Sequence, residues 1–166
     1  KMEPDFQDFI GVWDDFVPTQ LCDDIINLAD KIIKHSASNS KFIDTGENQF
    51  SIAGKTGRYD TQIFLTDYDS ELCDEINHHL TDCFSEYCEE YSHLKKVNLS
   101  SYIIKCQITP PSGGYHVWHY ENMFYEESSR ELVWTVYLND MPEGEAETEF
   151  LYQKRRVQAK KGRVCI

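Results

Sequence analysis

Apolar residues recur every three or four positions in two stretches of the first half of the chain, and charged residues fill the positions between them. This period is that of an amphipathic helix, so it predicts one helix over roughly 19–35 and a second over about 70–93. A short apolar segment ahead of the first helix predicts a strand near 10–13.

The second half of the chain has the composition of β-strands. Its apolar segments are rich in β-branched and aromatic residues and are separated by Pro, Gly and polar residues. The predicted strands are 61–66, 101–109, 115–121, 131–139, 148–157 and 163–166. The polar stretch 36–61 is predicted to be a long loop with one short strand at 50–53. Helices followed by strands predict an α+β fold, in which a sheet or barrel forms the second half of a single domain.

Charge and cysteine content narrow the function classes for this chain of 166 residues. A formal net charge of -13 disfavours a nucleic-acid partner, because phosphate contacts need clustered Lys and Arg. A small-molecule or peptide substrate stays open. No apolar run approaches the ~20 residues that span a membrane, so we expect no membrane contact. The six cysteines include no C-x-x-C pair, and we expect them to be reduced thiols in a cytoplasmic protein.

His119 and Glu121 are the candidate metal ligands of the chain. In a strand, residues two apart point to the same face, so an imidazole nitrogen and a carboxylate oxygen can converge on one ion. Together they supply two of the three ligands of the two-histidine, one-carboxylate triad of non-haem iron oxygenases. His-x-Glu by itself is weak evidence, since a chain with 6 His and 29 acids contains about one such spacing by chance.

The other histidines are assigned to structural or surface positions. His116 has the opposite strand parity to His119, so we expect it to support the structure or the ligands and not to bind the metal. The rest are predicted to lie on the surface of helices, at His35, His78, His79 and His93.

Three ordered blocks of the second half carry a family resemblance. The first runs Tyr-His-Val-Trp-His-Tyr-Glu-Asn over residues 115–122. The second combines Arg130 and Thr135 with Tyr-Leu-Asn-Asp at 137–140 and Glu-Thr-Glu-Phe at 147–150, and the third is Lys-Gly-Arg-Val-Cys-Ile at 161–166. In order and spacing these blocks resemble the prolyl-hydroxylase-like family of 2-oxoglutarate/Fe(II)-dependent dioxygenases. The resemblance covers residues 101–166.

The resemblance implies a double-stranded β-helix (jelly-roll) core with N-terminal bracing helices. It implies Fe(II) as cofactor and 2-oxoglutarate as co-substrate, which is converted with O2 to succinate and CO2 while a substrate C–H bond becomes C–OH. His119 and Glu121 match the first two metal ligands. Tyr137 matches a position that contacts the distal carboxylate of 2-oxoglutarate, and Val133 and Thr135 would line the same pocket.

The chain departs from the family pattern at several positions. Its carboxylate ligand is Glu121 where Asp is commoner, Ile108 stands where a tyrosine is frequent, and Glu145-Ala146 replaces a Gly-Gly pair. No histidine follows His119. The resemblance puts the third ligand and the basic residue that binds 2-oxoglutarate in strands after Ile166, so we expect this chain alone to bind Fe(II) weakly.

Two other functions remain open at this stage. The runner-up is a non-catalytic, cupin-like jelly-roll protein that binds a small ligand or a partner chain. A nucleic-acid-dealkylating relative of the same superfamily is the third, and the acidic net charge disfavours it. Resemblance favours a prolyl or other peptide residue as substrate, although related enzymes hydroxylate free amino acids and other small molecules.

Overall fold

The computed structural model describes residues 3–35, 43–44, 51–52, 55–56, 58–101, 103–122, 125 and 128–166. Over these ranges the chain is α+β, with two α-helices and short strands in antiparallel sheets. The helices are α1 (Thr19–His35) and α2 (Ser70–Glu90). The strands are β1 (Asp5–Gln7), β2 (Ile10–Trp13), β3 (Ile43–Asp44), β4 (Ser51–Ile52), β5 (Lys55–Thr56), β6 (Arg58–Tyr59), β7 (Thr61–Phe64), β8 (Lys105–Ile108), β9 (Gly114–Tyr115), β10 (Thr135–Val136), β11 (Thr148–Phe150), β12 (Arg155–Val157) and β13 (Val164–Cys165).

The two largest sheets in the described part of the chain have four and three strands. The larger has the strand order β1-β2-β13-β10, and the other has the order β3-β7-β8. In the larger sheet β13 lies between β2 and β10, pairing Val164 with Trp13 on one side and with Val136 on the other. Strands from the two ends of the described chain are therefore neighbours at the centre of this sheet.

A large core packs both helices against one face of each of these sheets. Trp13 and Val164 enter it from the larger sheet, and Ile63 and Cys106 enter it from the smaller one. The helices contribute their apolar stripes: Leu21, Cys22, Ile25, Ala29 and Ile32 from α1, and Cys73, Ile76, Leu80, Cys83 and Tyr87 from α2. Burying these stripes out of water is the main force that holds helices and sheets together.

The opposite face of the larger sheet carries a second, smaller core. Val12 and Cys165 are cross-strand partners on this face, so they point away from the helices. They pack with a second set of buried residues, which is Ile10, Tyr137, Val157 and Ala159. The sheet is thus buried on both faces at its centre.

The predicted helices are confirmed. α1 has the predicted bounds, and α2 begins at the predicted residue because the Asp69 carboxylate accepts a hydrogen bond from the Leu72 amide at 2.9 Å. α2 ends at Glu90 and not near residue 93, because Tyr91 leaves the helical conformation (φ -110, ψ 72). The strand predicted near 10–13 is also present, as β2.

Several predicted strands were wrong in extent. The strand predicted over 131–139 covers only Thr135–Val136, and the one predicted over 101–109 covers only Lys105–Ile108. The segment 148–157 is not one strand but the β11–β12 hairpin, in which Thr148 pairs with Val157 and Phe150 pairs with Arg155. Its turn residue Lys154 has a positive φ of 51, and no Gly, Pro, Asn or Asp within 148–157 marks the turn in the sequence. The strand predicted over 115–121 covers only Gly114–Tyr115, and the residues after it form no regular structure.

Other expectations have mixed outcomes. All six cysteines are free, and five of them are buried. Much of the predicted loop 36–61 lies outside the described residues, although β4 falls within its predicted strand at 50–53. No helix in the described part of the chain combines the length and the apolar character that crossing a lipid bilayer requires.

Gly162 joins the start of α1 to Tyr137, the residue that follows β10. Its carbonyl oxygen accepts hydrogen bonds from the Phe16 and Val17 amides, each at 3.0 Å, and its own amide donates to the Tyr137 carbonyl at 2.9 Å. Its φ is +78, and a Cβ at this position would lie 2.5 Å from the Val17 carbonyl oxygen. Glycine is required here both by backbone conformation and by close approach of another chain segment.

The next residue, Arg163, ties the same region together through its side chain. Its Nε donates to the Asp14 carboxylate at 2.5 Å, and its Nη1 donates to the Gln158 carbonyl at 2.9 Å. Only 9% of Arg163 is exposed, so this charge depends on its partners. The hydrogen bond from Arg163 is the main reason that the pKa of Asp14 is held below its usual range.

We expect Gly162→Ala to lower the free energy of unfolding by about 3 kcal/mol, because it adds both backbone strain and a steric clash. The matched control is Gly144→Ala, where φ is +85 but nothing lies within 4 Å of the added Cβ; strain alone should cost about 1 kcal/mol. Urea unfolding followed by tryptophan fluorescence measures both. Equal losses in the two variants would show that the contact with Val17 is unimportant.

We expect Asp14→Asn to destabilise the protein at pH 7 by about 2 kcal/mol, because it removes a charge-assisted hydrogen bond. A carboxylate whose folded pKa is depressed contributes stability above its unfolded pKa of about 3.9, and that contribution disappears as the pH falls through the folded pKa. The difference from wild type should therefore narrow below about pH 4. Unfolding curves at several pH values test this, with the exposed Asp74→Asn on α2 as control.

Candidate functional site

A tight turn and a two-residue β-ladder hold the start of the segment that carries the candidate ligands. β9 pairs with β6, so that Gly114 lies opposite Tyr59. The Gly113 amide donates to the Pro110 carbonyl at 2.8 Å, and a Cβ on Gly113 would lie 2.6 Å from the Tyr59 carbonyl oxygen. The Pro-Pro-Ser-Gly-Gly turn can therefore lie directly on β6 only because glycine occupies that position.

The side chains of His119 and Glu121 lie close together at the end of this segment. The distance from His119 Nε2 to Glu121 Oε1 is 3.3 Å, and 31% and 43% of the two side chains are exposed. Since residues 116–121 are not a strand, the convergence does not come from strand parity as the sequence suggested. It comes from the local path of the loop and from the contacts that hold each side chain.

The other ring nitrogen of His119 fixes the protonation pattern of the imidazole. Nδ1 lies 2.9 Å from the Val117 carbonyl oxygen. A carbonyl only accepts hydrogen bonds, so Nδ1 must carry a proton, and in the neutral ring Nε2 then presents a lone pair. This lone pair faces a carboxylate oxygen, so a cation has to lie between the two atoms: either a second proton on the ring or a metal ion.

The separation of the two atoms fits a shared metal ion. Two ligand atoms at a right angle, each about 2.1 Å from an ion, are about 3.0 Å apart. The observed 3.3 Å is close to this value. One imidazole nitrogen and one carboxylate oxygen are also a donor set that iron accepts in non-haem oxygenases. The chemistry of the donor set thus fits two of the three ligands of the triad.

An aromatic ring fixes the orientation of His119. The Tyr115 ring lies against the imidazole, with centroids 3.9 Å apart and an angle of 34° between the ring planes. Tyr115 belongs to β9, so its backbone is anchored by the ladder with β6. The imidazole is therefore held by a ring contact on one face and by the Val117 carbonyl at its edge.

The two carboxylate oxygens of Glu121 have different partners. Oε1 faces His119, and Oε2 lies 3.4 Å from Nη1 of Arg130. The hydrogen bond with His119 lowers the pKa of Glu121, and the positive charges of Arg130 and Lys105 act in the same direction against the opposing effect of burial. Reciprocally, the hydrogen bond with Glu121 raises the pKa of His119, although burial opposes it.

Lys105 has the smaller effect of the two basic side chains, Arg130 and Lys105, that act on Glu121. It alternates along β8 with Cys106, which belongs to the core beneath the helices. Lys105 therefore points to the other side of the sheet. Its positive charge contributes to the lowered pKa of Glu121 after the larger effects of His119 and Arg130.

Tyr137 lies on the side of the larger sheet that faces away from the helices, as part of the smaller core. Its hydroxyl donates to Thr148 Oγ1 at 2.6 Å, and burial raises its pKa to about 12. Of the residues expected to share its face, Thr135 is half-buried and Val133 is exposed. A neutral, buried phenol with a hydroxyl neighbour can donate a hydrogen bond to a carboxylate.

Several contacts at this site were not predicted from the sequence. The roles of Tyr115, Val117 and Lys105 come from the folding of an irregular segment, and no periodic pattern indicates them. In the sequence, Arg130 stands out only as part of the second block that carries the resemblance. His116 is exposed, and its ring is the nearest neighbour of the position that a Cβ on Gly114 would take, at 3.3 Å. Nowhere in the described ranges are three or more His, Cys, Asp or Glu side chains grouped so that they could hold a metal ion.

Comparison of the chain with protein-family models, with curated proteins and with solved structures found no match.

We expect Glu121→Gln to lower the pKa of His119 in the metal-free protein, because the variant removes the carboxylate that stabilises the charged ring. The pKa is measured by NMR titration of the imidazole Hε1 resonance. Glu131→Gln, at an exposed position, should leave the pKa of His119 unchanged. An unchanged pKa in Glu121→Gln would mean that the two side chains are not in contact in solution.

Proposed function

We propose that the protein is a 2-oxoglutarate- and Fe(II)-dependent dioxygenase of the prolyl-hydroxylase-like class. It hydroxylates a C–H bond of a small molecule or of a prolyl or other peptide residue. The observation that carries the proposal is the pairing of His119 Nε2 with Glu121 Oε1 at 3.3 Å while Nδ1 donates to the Val117 carbonyl. Metal-binding histidines characteristically donate their second ring N–H to a carbonyl or carboxylate in this way.

The proposal includes a fold. The antiparallel sheets would be parts of a double-stranded β-helix, with α1 and α2 bracing its outer side. In support, the β1-β2-β13-β10 sheet and the β3-β7-β8 sheet each bury one face against α1 and α2. Tyr137 belongs to the smaller core on the opposite face of the larger sheet, which would form the interior of the jelly roll. The three sequence blocks provide the second, independent support.

In this proposal His119 and Glu121 would hold Fe(II). Bound Fe(II) and 2-oxoglutarate supply an O2-dependent oxidation that converts a substrate C–H bond to C–OH, with release of succinate and CO2. The lowered pKa of Glu121 keeps its carboxylate ionised at neutral pH, ready to bind a cation. The Val117 carbonyl and the Tyr115 ring keep Nε2 of His119 directed at the ion.

Tyr137 and Thr148 would bind the distal carboxylate of 2-oxoglutarate. The two hydroxyls are 2.6 Å apart, so either can donate to a carboxylate oxygen while it accepts the hydrogen bond of the other. The raised pKa of Tyr137 keeps the phenol neutral at physiological pH, which avoids repulsion of an anionic co-substrate. The free thiols of the chain agree with a cytoplasmic location, which is part of the same proposal.

The test is conversion of 2-oxoglutarate to succinate by the complete gene product, supplied with Fe(II) and O2. We expect His119→Ala and Glu121→Ala each to reduce turnover by at least about 100-fold, because each removes one ligand of the iron. His78→Ala, on the exposed side of α2, is the matched control and should keep full turnover.

The alternative function is a non-catalytic, cupin-like jelly-roll protein that binds a ligand or a partner chain. It predicts no succinate formation above the background of free Fe(II), and no effect of either ligand substitution. Turnover that is equal in wild type and in Glu121→Ala would therefore exclude the dioxygenase proposal.

A further inference from the structure

Arg130 contacts Glu121 at two places. Its Nη1 lies 3.4 Å from Oε2 of the carboxylate and also 3.4 Å from the main-chain carbonyl oxygen of the same residue. A guanidinium Nη carries two N–H bonds, so one nitrogen can direct a hydrogen at each oxygen. Arg130 thereby contacts both the main chain and the carboxylate of Glu121, and it restricts the side-chain torsions between these two groups.

The two carboxylate oxygens of Glu121 are consequently not equivalent. Oε2 is engaged by the guanidinium, whereas Oε1 is directed at Nε2 of His119. A glutamate side chain has one more rotatable bond than an aspartate, so its carboxylate samples more positions unless a neighbour restrains it. In this chain glutamate occupies the carboxylate position of the motif, and Arg130 supplies that restraint.

We propose that Arg130 is a positioning residue, which holds Glu121 so that only Oε1 is presented to the metal ion beside His119. The inference rests on the proposed function to the extent that Glu121 is taken as a metal ligand. It adds a reason why a glutamate, with its longer side chain, can serve at this position: its extra freedom is removed by a contact that a shorter aspartate carboxylate would not make at the same distance.

Arg130 can affect metal binding through its charge or through the positioning of Glu121, and these two effects predict opposite changes in metal affinity when Arg130 is replaced. A guanidinium beside the ligand repels a divalent cation, so its removal would strengthen metal binding if charge dominated. Loss of positioning would weaken metal binding. About 30% of the Arg130 side chain and 43% of the Glu121 side chain are exposed, so water screens the charge effect. We therefore expect the loss of positioning to outweigh the removed repulsion, so that the variant binds the metal ion more weakly.

The experiment measures the affinity for Mn(II), a redox-stable probe, from the EPR signal of the free ion, with the complete gene product and without 2-oxoglutarate. Arg130→Met removes the donors and the charge at similar length, and we expect it to weaken Mn(II) binding about tenfold. Arg130→Lys, which can donate to one oxygen, should recover part of the loss. Arg156→Met is the control, because Arg156 is 64% exposed and pairs with Glu147 and Glu149.

A double-mutant cycle with Glu121→Asp isolates the contact. In the Glu121→Asp background we expect Arg130→Met to cause no loss, or a small gain from the removed charge. An unchanged or stronger Mn(II) affinity in Arg130→Met with Glu121 present would overturn the inference. So would an equal loss in both backgrounds.

The two proposals fail in different ways. Glu121→Ala itself tests the proposed function, since it should remove most Mn(II) binding whatever Arg130 does. If Glu121→Ala binds Mn(II) as wild type does, Glu121 is not a ligand and both proposals fall. If Glu121→Ala loses Mn(II) but Arg130→Met does not, only the role of Arg130 is wrong.

Discussion

The backbone at Gly162 is the constraint on which the arrangement of the larger sheet depends. Its carbonyl receives the first amides before α1, its amide reaches the Tyr137 carbonyl, and the Tyr137 amide in turn donates to the Arg163 carbonyl at 3.0 Å. One residue thus links the backbone that precedes α1, the start of β13 and the backbone of Tyr137. A register shift by one residue would move Cys165 from the smaller core to the helix side, because side chains alternate between the faces of a strand.

The helices and Tyr137 lie on opposite faces of the larger sheet. α1 and α2 cover one face with apolar residues, and this large core provides the rigidity of the scaffold. The His119 and Glu121 side chains are partly exposed and lie in irregular backbone over 116–121. The packed sheets and helices can remain fixed while this segment has no regular structure.

Sequence patterns predict structural features that depend on residues close together in the chain, and they miss contacts between residues that are far apart in it. Both helices follow from a local period of three to four residues, and their positions were predicted well. The sequence predicts a single strand where the β11–β12 hairpin lies, because its turn contains no Gly, Pro, Asn or Asp. The spacing of His119 and Glu121 identifies them as a candidate pair. Their contacts with Tyr115 and Arg130 depend on the irregular path of residues 116–121, which no sequence period predicts.

The position of β13 has a consequence for how the protein is made. β2, with all four residues buried, needs β13 as its partner, and Trp13 and Val164 are separated by 150 intervening residues. During synthesis, the apolar edge of β2 therefore has no partner until nearly all of the described chain has emerged from the ribosome. Pairings over such distances form slowly and leave unpaired strand edges prone to aggregation. α1 follows β2 directly and can cover one of its faces early, but the edge itself stays open until the arrival of β13.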